Sequence, residues 1–211
     1  VGLGPVLDQC PDLYRVPVLF PQCPADHVWS AADEPWYRGE PTAEHHIDAL
    51  LAATERHPAL APGHVVLTGA SMGGFGTLLY GGRRSDRFRG FHAVCGGGDP
   101  NALGGLTERP VWLHHAKDDD VVPVESSRRI AERLSQGGSP RVRYTEYACG
   151  GHSCWERAYR DPAVAAFLAT ATLPEDTPPR NTPPGAAASR PRLPLALVVY
   201  AHHAGGLATA R

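Results

Sequence analysis

Val65-Val66-Leu67-Thr68-Gly69-Ala70-Ser71-Met72-Gly73-Gly74-Phe75-Gly76 is the stretch that decides the fold. Its first four residues read as a buried strand, and residues 72–80 read as the helix that follows. Between them, Gly69-Ala70-Ser71-Met72-Gly73 has the form G-x-S-x-G. A chain that turns so sharply from strand to helix has room only for small side chains at 69 and 73. The turn lifts the Ser71 hydroxyl above the end of the sheet. The Met72 N–H then points to where negative charge forms when Ser71 attacks a carbonyl, so it is expected to contribute to an oxyanion hole. Gly74 and Gly76 let the helix pack close to its neighbours.

On both sides of this turn, short apolar runs alternate with amphipathic segments. Strands are expected at 16–20, 91–95, 111–115 and 141–147. A helix is expected over 42–57, capped by Thr42 and carrying Ile47, Leu50 and Leu51 on one face. Another covers 124–134 with Ile130 and Leu134 inward, and a last one opens at Asp161-Pro162, an N-cap followed by proline in the first turn. This alternation predicts an α/β fold, a mostly parallel sheet with helices on both faces. Ligands of such sheets gather at the carboxyl ends of the strands.

A serine hydroxyl is a weak nucleophile until a base takes its proton. The acid and the base are expected downstream of Ser71, each in a loop after a strand. The strand at 111–115 runs into Lys117-Asp118-Asp119-Asp120-Val121-Val122-Pro123. Counting back from Val121-Val122-Pro123 selects Asp119 as the acid, with Asp118 as the alternative. The strand at 141–147 leads to Cys149-Gly150-Gly151-His152-Ser153-Cys154-Trp155. A histidine in so glycine-rich a loop can reach over the sheet edge, so His152 is the expected base. Cys149, His152 and Cys154 are also possible zinc ligands, but their spacing fits no common finger, and no metal is expected.

The chain has 211 residues, 42% hydrophobic and 20% charged, with a net charge of −2, which suits one globular domain. So balanced a charge gives no global case for binding nucleic acid or an anionic membrane, and no apolar run is long enough to span a bilayer. The start, Val1-Gly2-Leu3-Gly4-Pro5, lacks the basic and apolar regions of a signal peptide, so a soluble protein is expected, cytoplasmic or secreted. Five cysteines cannot form a fully paired framework, although Cys149 and Cys154 are close enough for a small loop disulfide in an exported protein.

Taken together, PVLFPQCP at 17–24 with Trp29 downstream, LTGASMGGFGT at 67–77, VCGGGDP at 94–100, KDDDVVPVESSRR at 117–129 and VRYTEYACGGHSCWERAY at 142–159 resemble bacterial esterases of the α/β-hydrolase superfamily. The resemblance is to the group described as predicted peptidases, polyhydroxybutyrate-depolymerase-like or feruloyl-esterase-like. It covers roughly residues 1 to 170. It implies an α/β-hydrolase fold and a cofactor-free carboxylesterase acting through Ser71, Asp119 and His152 on a small-molecule or polymer-linked ester.

In one respect the sequence departs from that family. The family begins with an apolar strand and a His-Gly turn that gives the second oxyanion donor. Here the matching segment is Leu195-Ala196-Leu197-Val198-Val199-Tyr200-Ala201-His202-His203-Ala204-Gly205-Gly206, beyond a Pro-rich stretch at 173–194, LPEDTPPRNTPPGAAASRPRLP. The expected organisation is a circular permutation: residues 1–172 form most of the domain, 173–194 a linker, and 195–211 the strand and oxyanion-side loop that complete it. Ala204 would then supply the second backbone donor. A truncated tandem repeat starting at Leu195 is the alternative. Permutation requires Leu195 to Tyr200 to pair in the same sheet as Val65 to Thr68.

Trp29 and Trp155 fall in loops expected to rim the site and are candidates for an aromatic wall against the substrate. Two alternatives to an esterase stand beside it. One is a serine peptidase with the same three residues. The other is an impaired hydrolase fold used for binding, motivated by His203 and His115 at positions where the family has glycine.

Overall fold

The structure, a computed structural model, describes residues 2–30, 37–136, 141–174 and 193–199. Strands β1 (Val18–Leu19), β2 (Leu60–Ala70), β3 (Gly90–Val94), β4 (Val111–Ala116), β5 (Val142–Tyr147) and β6 (Leu193–Val199) form one sheet in the order β1-β6-β2-β3-β4-β5. Every neighbouring pair is parallel. The helices are α1 (Leu3–Gln9), α2 (Glu44–Glu55), α3 (Met72–Arg83), α4 (Glu125–Gln136), α5 (Trp155–Tyr159) and α6 (Pro162–Thr170).

Side chains alternate across a pleated strand, and here the alternation builds two cores. Val66, Ala70, Val94, Trp112, Ala116 and Ala196 face α1, α5 and α6. Their chain neighbours Val65, Leu67, Ala93, Val111, Leu113 and Leu195 face α2, α3 and α4. Both faces of the sheet are therefore covered, and the strand ends are left for chemistry.

Two details differ from the sequence expectation. Helix α2 starts at Glu44 with Ala43 at its cap and no side-chain cap bond. Thr42 instead lies in a parallel bridge to Val28, with Ala43 N–H donating to the Val28 carbonyl at 2.8 Å. Helix α1 is not among the elements expected from the sequence: Gly2, Gly4 and Pro5 crowd its start. Pro5 falls within the first turn, where no N–H is needed, and burial of Leu3 and Val6 in the core with residues of α5 and α6 drives the helix. The expected Asp161 cap is present, its carboxylate accepting from Ala163 N–H at 2.8 Å.

Strand β6 lies between β1 and β2, with Ala196 opposite both Val18 and Val66. The strand after the proline-rich stretch therefore pairs directly with the strand that carries the serine. The folded parts also reach into the expected linker at both ends: Leu173 is buried in the core, and β6 begins at Leu193. Residues 200–211, including His203 and Ala204, lie outside the described residues. No helix among the described residues is long and apolar enough to cross a membrane.

One core contains a polar chain. Thr68 Oγ1 meets His92 Nδ1 and the Tyr159 hydroxyl, each at 2.8 Å, and His114 Nδ1 meets the Tyr147 hydroxyl at 2.8 Å. Burial pushes His92 down to about 3, and burial, then the nearby His92 and Arg143, push His114 well below the ordinary range. The unfolded chain takes up a proton at His92 near pH 6.5, so between about pH 6.5 and 3 it binds more protons than the folded chain. The His92 contribution to stability is thus full above that window and falls as pH drops through it, by about 1.4 kcal/mol per pH unit, and His114 acts in the same direction. Thermal unfolding midpoints measured from pH 7 to 4 should fall steeply in the native chain and less steeply in His92→Asn. Equal slopes would show that His92 does not drive acid sensitivity.

Candidate active site

Strand β2 delivers Ser71 and α3 leaves from it. Ser71 has φ 55° and ψ −122°, a strained setting for a residue with a side chain. Two backbone bonds hold the turn: Ser71 N–H donates to Val94 O at 3.0 Å, and Phe75 N–H donates to Ser71 O at 3.1 Å. A Cβ on Gly74 would sit 2.7 Å from Val94 O and 2.9 Å from Gly96 Cα, so only glycine lets α3 approach the end of β3 this closely. Met72 is the first residue of α3, and a helix leaves its first N–H groups without intrahelical partners.

After β4, Asp119 turns back under the site. Its Oδ1 accepts from Val121 N–H and Val122 N–H, each at 2.9 Å. Burial favours the neutral acid, but hydrogen bonds from His115, His152, Val122 and Val121 outweigh it and hold the carboxyl well below the usual range. After β5, the chain turns through Gly150 (φ 149°) and Gly151 (φ 55°), conformations that favour glycine. Their N–H groups donate to the Asp118 carboxylate at 3.3 and 2.9 Å. Asp118, the alternative acid, thus ties down the histidine loop and does not touch the imidazole.

The structure brings Ser71, Asp119 and His152 together. Ser71 Oγ lies 2.8 Å from His152 Nε2, and His152 Nδ1 lies 3.0 and 2.9 Å from the two Asp119 oxygens. The Asp119 side chain is fully buried, whereas the His152 side chain is 15% exposed. The line runs from a half-buried hydroxyl through the imidazole to a buried carboxylate, an arrangement in which an imidazole can take a hydroxyl proton while the carboxylate orients the ring.

Three neighbours complete the surroundings. Trp155, the first residue of α5 rather than a loop residue, is half-buried and meets the His152 ring edge-on at 5.2 Å. Trp29 is different. It is fully buried in the core facing α2, α3 and α4, at the spot where a Cβ on Gly76 would come within 2.6 Å of its own Cβ. It therefore fills the interior rather than the rim, a correction to the sequence reading. Cys95, after β3, was not anticipated: it has φ 42° and its thiol reaches the His152 carbonyl at 3.6 Å. Burial, then the neighbouring Cys154, raises this thiol well above its ordinary value, so it stays neutral.

Among the described residues, one group could hold a metal ion, Cys95 with Asp119 and His152, whose ligand atoms lie within 4.8 Å of one another. Asp119 and His152 already use those atoms on each other. Cys149 is exposed and Cys154 buried, and all five cysteines are free thiols.

Sheet, serine turn and the two loops together form an α/β-hydrolase fold. The particular likeness is to esterases. A thermostable esterase of known structure is 30% identical, with a TM-score of 0.57 over 69% of this chain and 41% of that one. A CE1 ferulic acid esterase from Anaeromyces mucronatus, solved with ferulic acid, is 16% identical, with a TM-score of 0.50 over 59% of this chain and 52% of that one, and shares the fold. This chain thus spans less than half of the thermostable esterase's length. No protein-family model matches the sequence, and no curated protein matches it.

Proposed function

We propose that the chain is a serine carboxylesterase. Ser71 Oγ attacks the ester carbonyl as His152 Nε2 takes its proton, and Asp119 keeps the other hydrogen on Nδ1 and stabilises the imidazolium. The alcohol leaves with the proton returned by His152, and water then releases the acid from the acyl-serine by the same route. The observation that carries this reading is the unbroken hydrogen-bonded line from Ser71 Oγ through His152 to Asp119. The likeness to a 30% identical esterase favours the ester as substrate.

Met72 N–H is the first oxyanion donor in this proposal, and Ala204 N–H, outside the described residues, the second. Trp155 beside His152 supplies an apolar wall for the acyl or alcohol group. The position of β6 between β1 and β2 supports the circular permutation: the strand next to the serine strand follows α6 in the chain.

The test uses purified protein with a short-chain aryl ester, a hydroxycinnamoyl ester and a peptide anilide, together with a fluorophosphonate probe. Ester turnover with probe mass on Ser71 is expected. Peptide cleavage with idle esters would make it a peptidase, and an unlabelled, inactive protein would make it a binding module.

A further inference from the structure

His115 takes no part in the proposed chemistry, yet it touches the residue that does. It is the fifth residue of β4, its side chain is fully buried, and its Nε2 lies 3.2 Å from Asp119 Oδ2. The same Nε2 lies 2.9 Å from the Val122 carbonyl oxygen. A carbonyl and a carboxylate only accept, so Nε2 must carry a hydrogen.

The other end of the ring is bounded as firmly. His115 Nδ1 lies 2.7 Å from Ser127 Oγ on α4, and Ser127 Oγ lies 2.8 Å from the Gly96 carbonyl oxygen. Ser127 has one hydrogen, and the Gly96 carbonyl can only accept it. With that bond made, Ser127 has only lone pairs to offer the ring, and Nδ1 too must donate. We infer that His115 is a positioning residue of the site, an imidazolium with a hydrogen on both ring nitrogens that shares the Asp119 carboxylate with His152. This rests on the reading of Asp119 as the acid of the proposed esterase.

His115, with the N–H groups of Val121 and Val122, fixes the carboxylate in the plane that meets His152, and its positive charge pairs with the Asp119 carboxylate. The other titratable groups nearby do not replace it. The Cys95 thiol stays neutral, Asp118 is exposed and turned to Gly150 and Gly151, and Glu146, opposite His115 on β5, is engaged by Arg128 and Tyr144.

The first measurement does not need activity. Protein labelled with ¹⁵N-histidine is examined by long-range ¹H–¹⁵N correlation at pH 7 to 8, and the His115 ring is identified as the signal lost in His115→Gln or, where that variant does not fold, the one displaced in Ser127→Ala. Two protonated nitrogens are expected. One unprotonated nitrogen would overturn the inference, whatever the protein hydrolyses.

The second measurement separates kcat from KM. In His115→Ala, kcat should fall by about ten- to a hundredfold with KM unchanged, and His115→Gln, which keeps a donor toward Asp119, should recover most of the loss. Equal losses in the alanine and glutamine variants would reduce His115 to a packing residue. A wild-type protein that no fluorophosphonate labels would sink the esterase reading instead, and the nitrogen signals would still judge His115.

Discussion

Ser71→Ala should lower ester turnover by about 10⁶-fold, to the residue left by binding and the oxyanion donors. The size follows from the way the three groups work. In the proposed mechanism His152 activates only what Ser71 presents, 2.8 Å away, and without that hydroxyl the imidazole has no proton to take. For the same reason the losses should not add. Ser71→Ala with His152→Ala should be no slower than either alone, because each already breaks the same line. A continuous aryl ester assay on the three variants decides it. A double variant a further thousandfold slower would mean that His152 acts independently of Ser71. Alanine keeps the backbone at position 71 nearly as strained as serine does, so the unfolding midpoint should move little.

Asp119→Asn should lower kcat by about 10⁴-fold while leaving KM close to native. The carboxylate faces only donors: Val121 N–H, Val122 N–H, His115 Nε2 and His152 Nδ1. An asparagine offers them one oxygen and an NH₂ group. Val121 and Val122 hold that oxygen, so the NH₂ group is left facing the two rings. His152 then meets a donor, turns to the tautomer with its hydrogen on Nε2, and cannot accept the Ser71 proton. Activity measured between pH 6 and 9 should not recover, since no pH in that range restores an acceptor. Full activity in this variant would remove Asp119 from the mechanism.

The serine turn and the sheet were legible in the sequence because both depend on local rules. Gly74 is required by the close approach at one turn, and period-two alternation at residues 65 to 70 sorts the two cores. Asp119 could be found by spacing, since its carboxylate closes a turn onto Val121 and Val122 a few residues away. What escaped depends on residues distant in the chain. Trp29 reads as a rim residue until Gly76, on another element, leaves it a slot in the core. His115 reads as an oddity at a glycine position until α4 brings up Ser127 and the loop returns Val122. Cys95 is an ordinary strand-end residue until the histidine loop folds over it. Helix α1 has a glycine and a proline in its first turn, and burial of Leu3 and Val6 makes it a helix.

The place of β6 bears on how the chain is made. β6 is synthesised after β1 to β5, yet its place in the sheet is between β1 and β2. That place can be filled by β6 only after residues 193–199 emerge, so the pairing that joins β1 to the serine strand forms late in synthesis. Chaperones that shield strand edges should therefore raise the yield of folded chain.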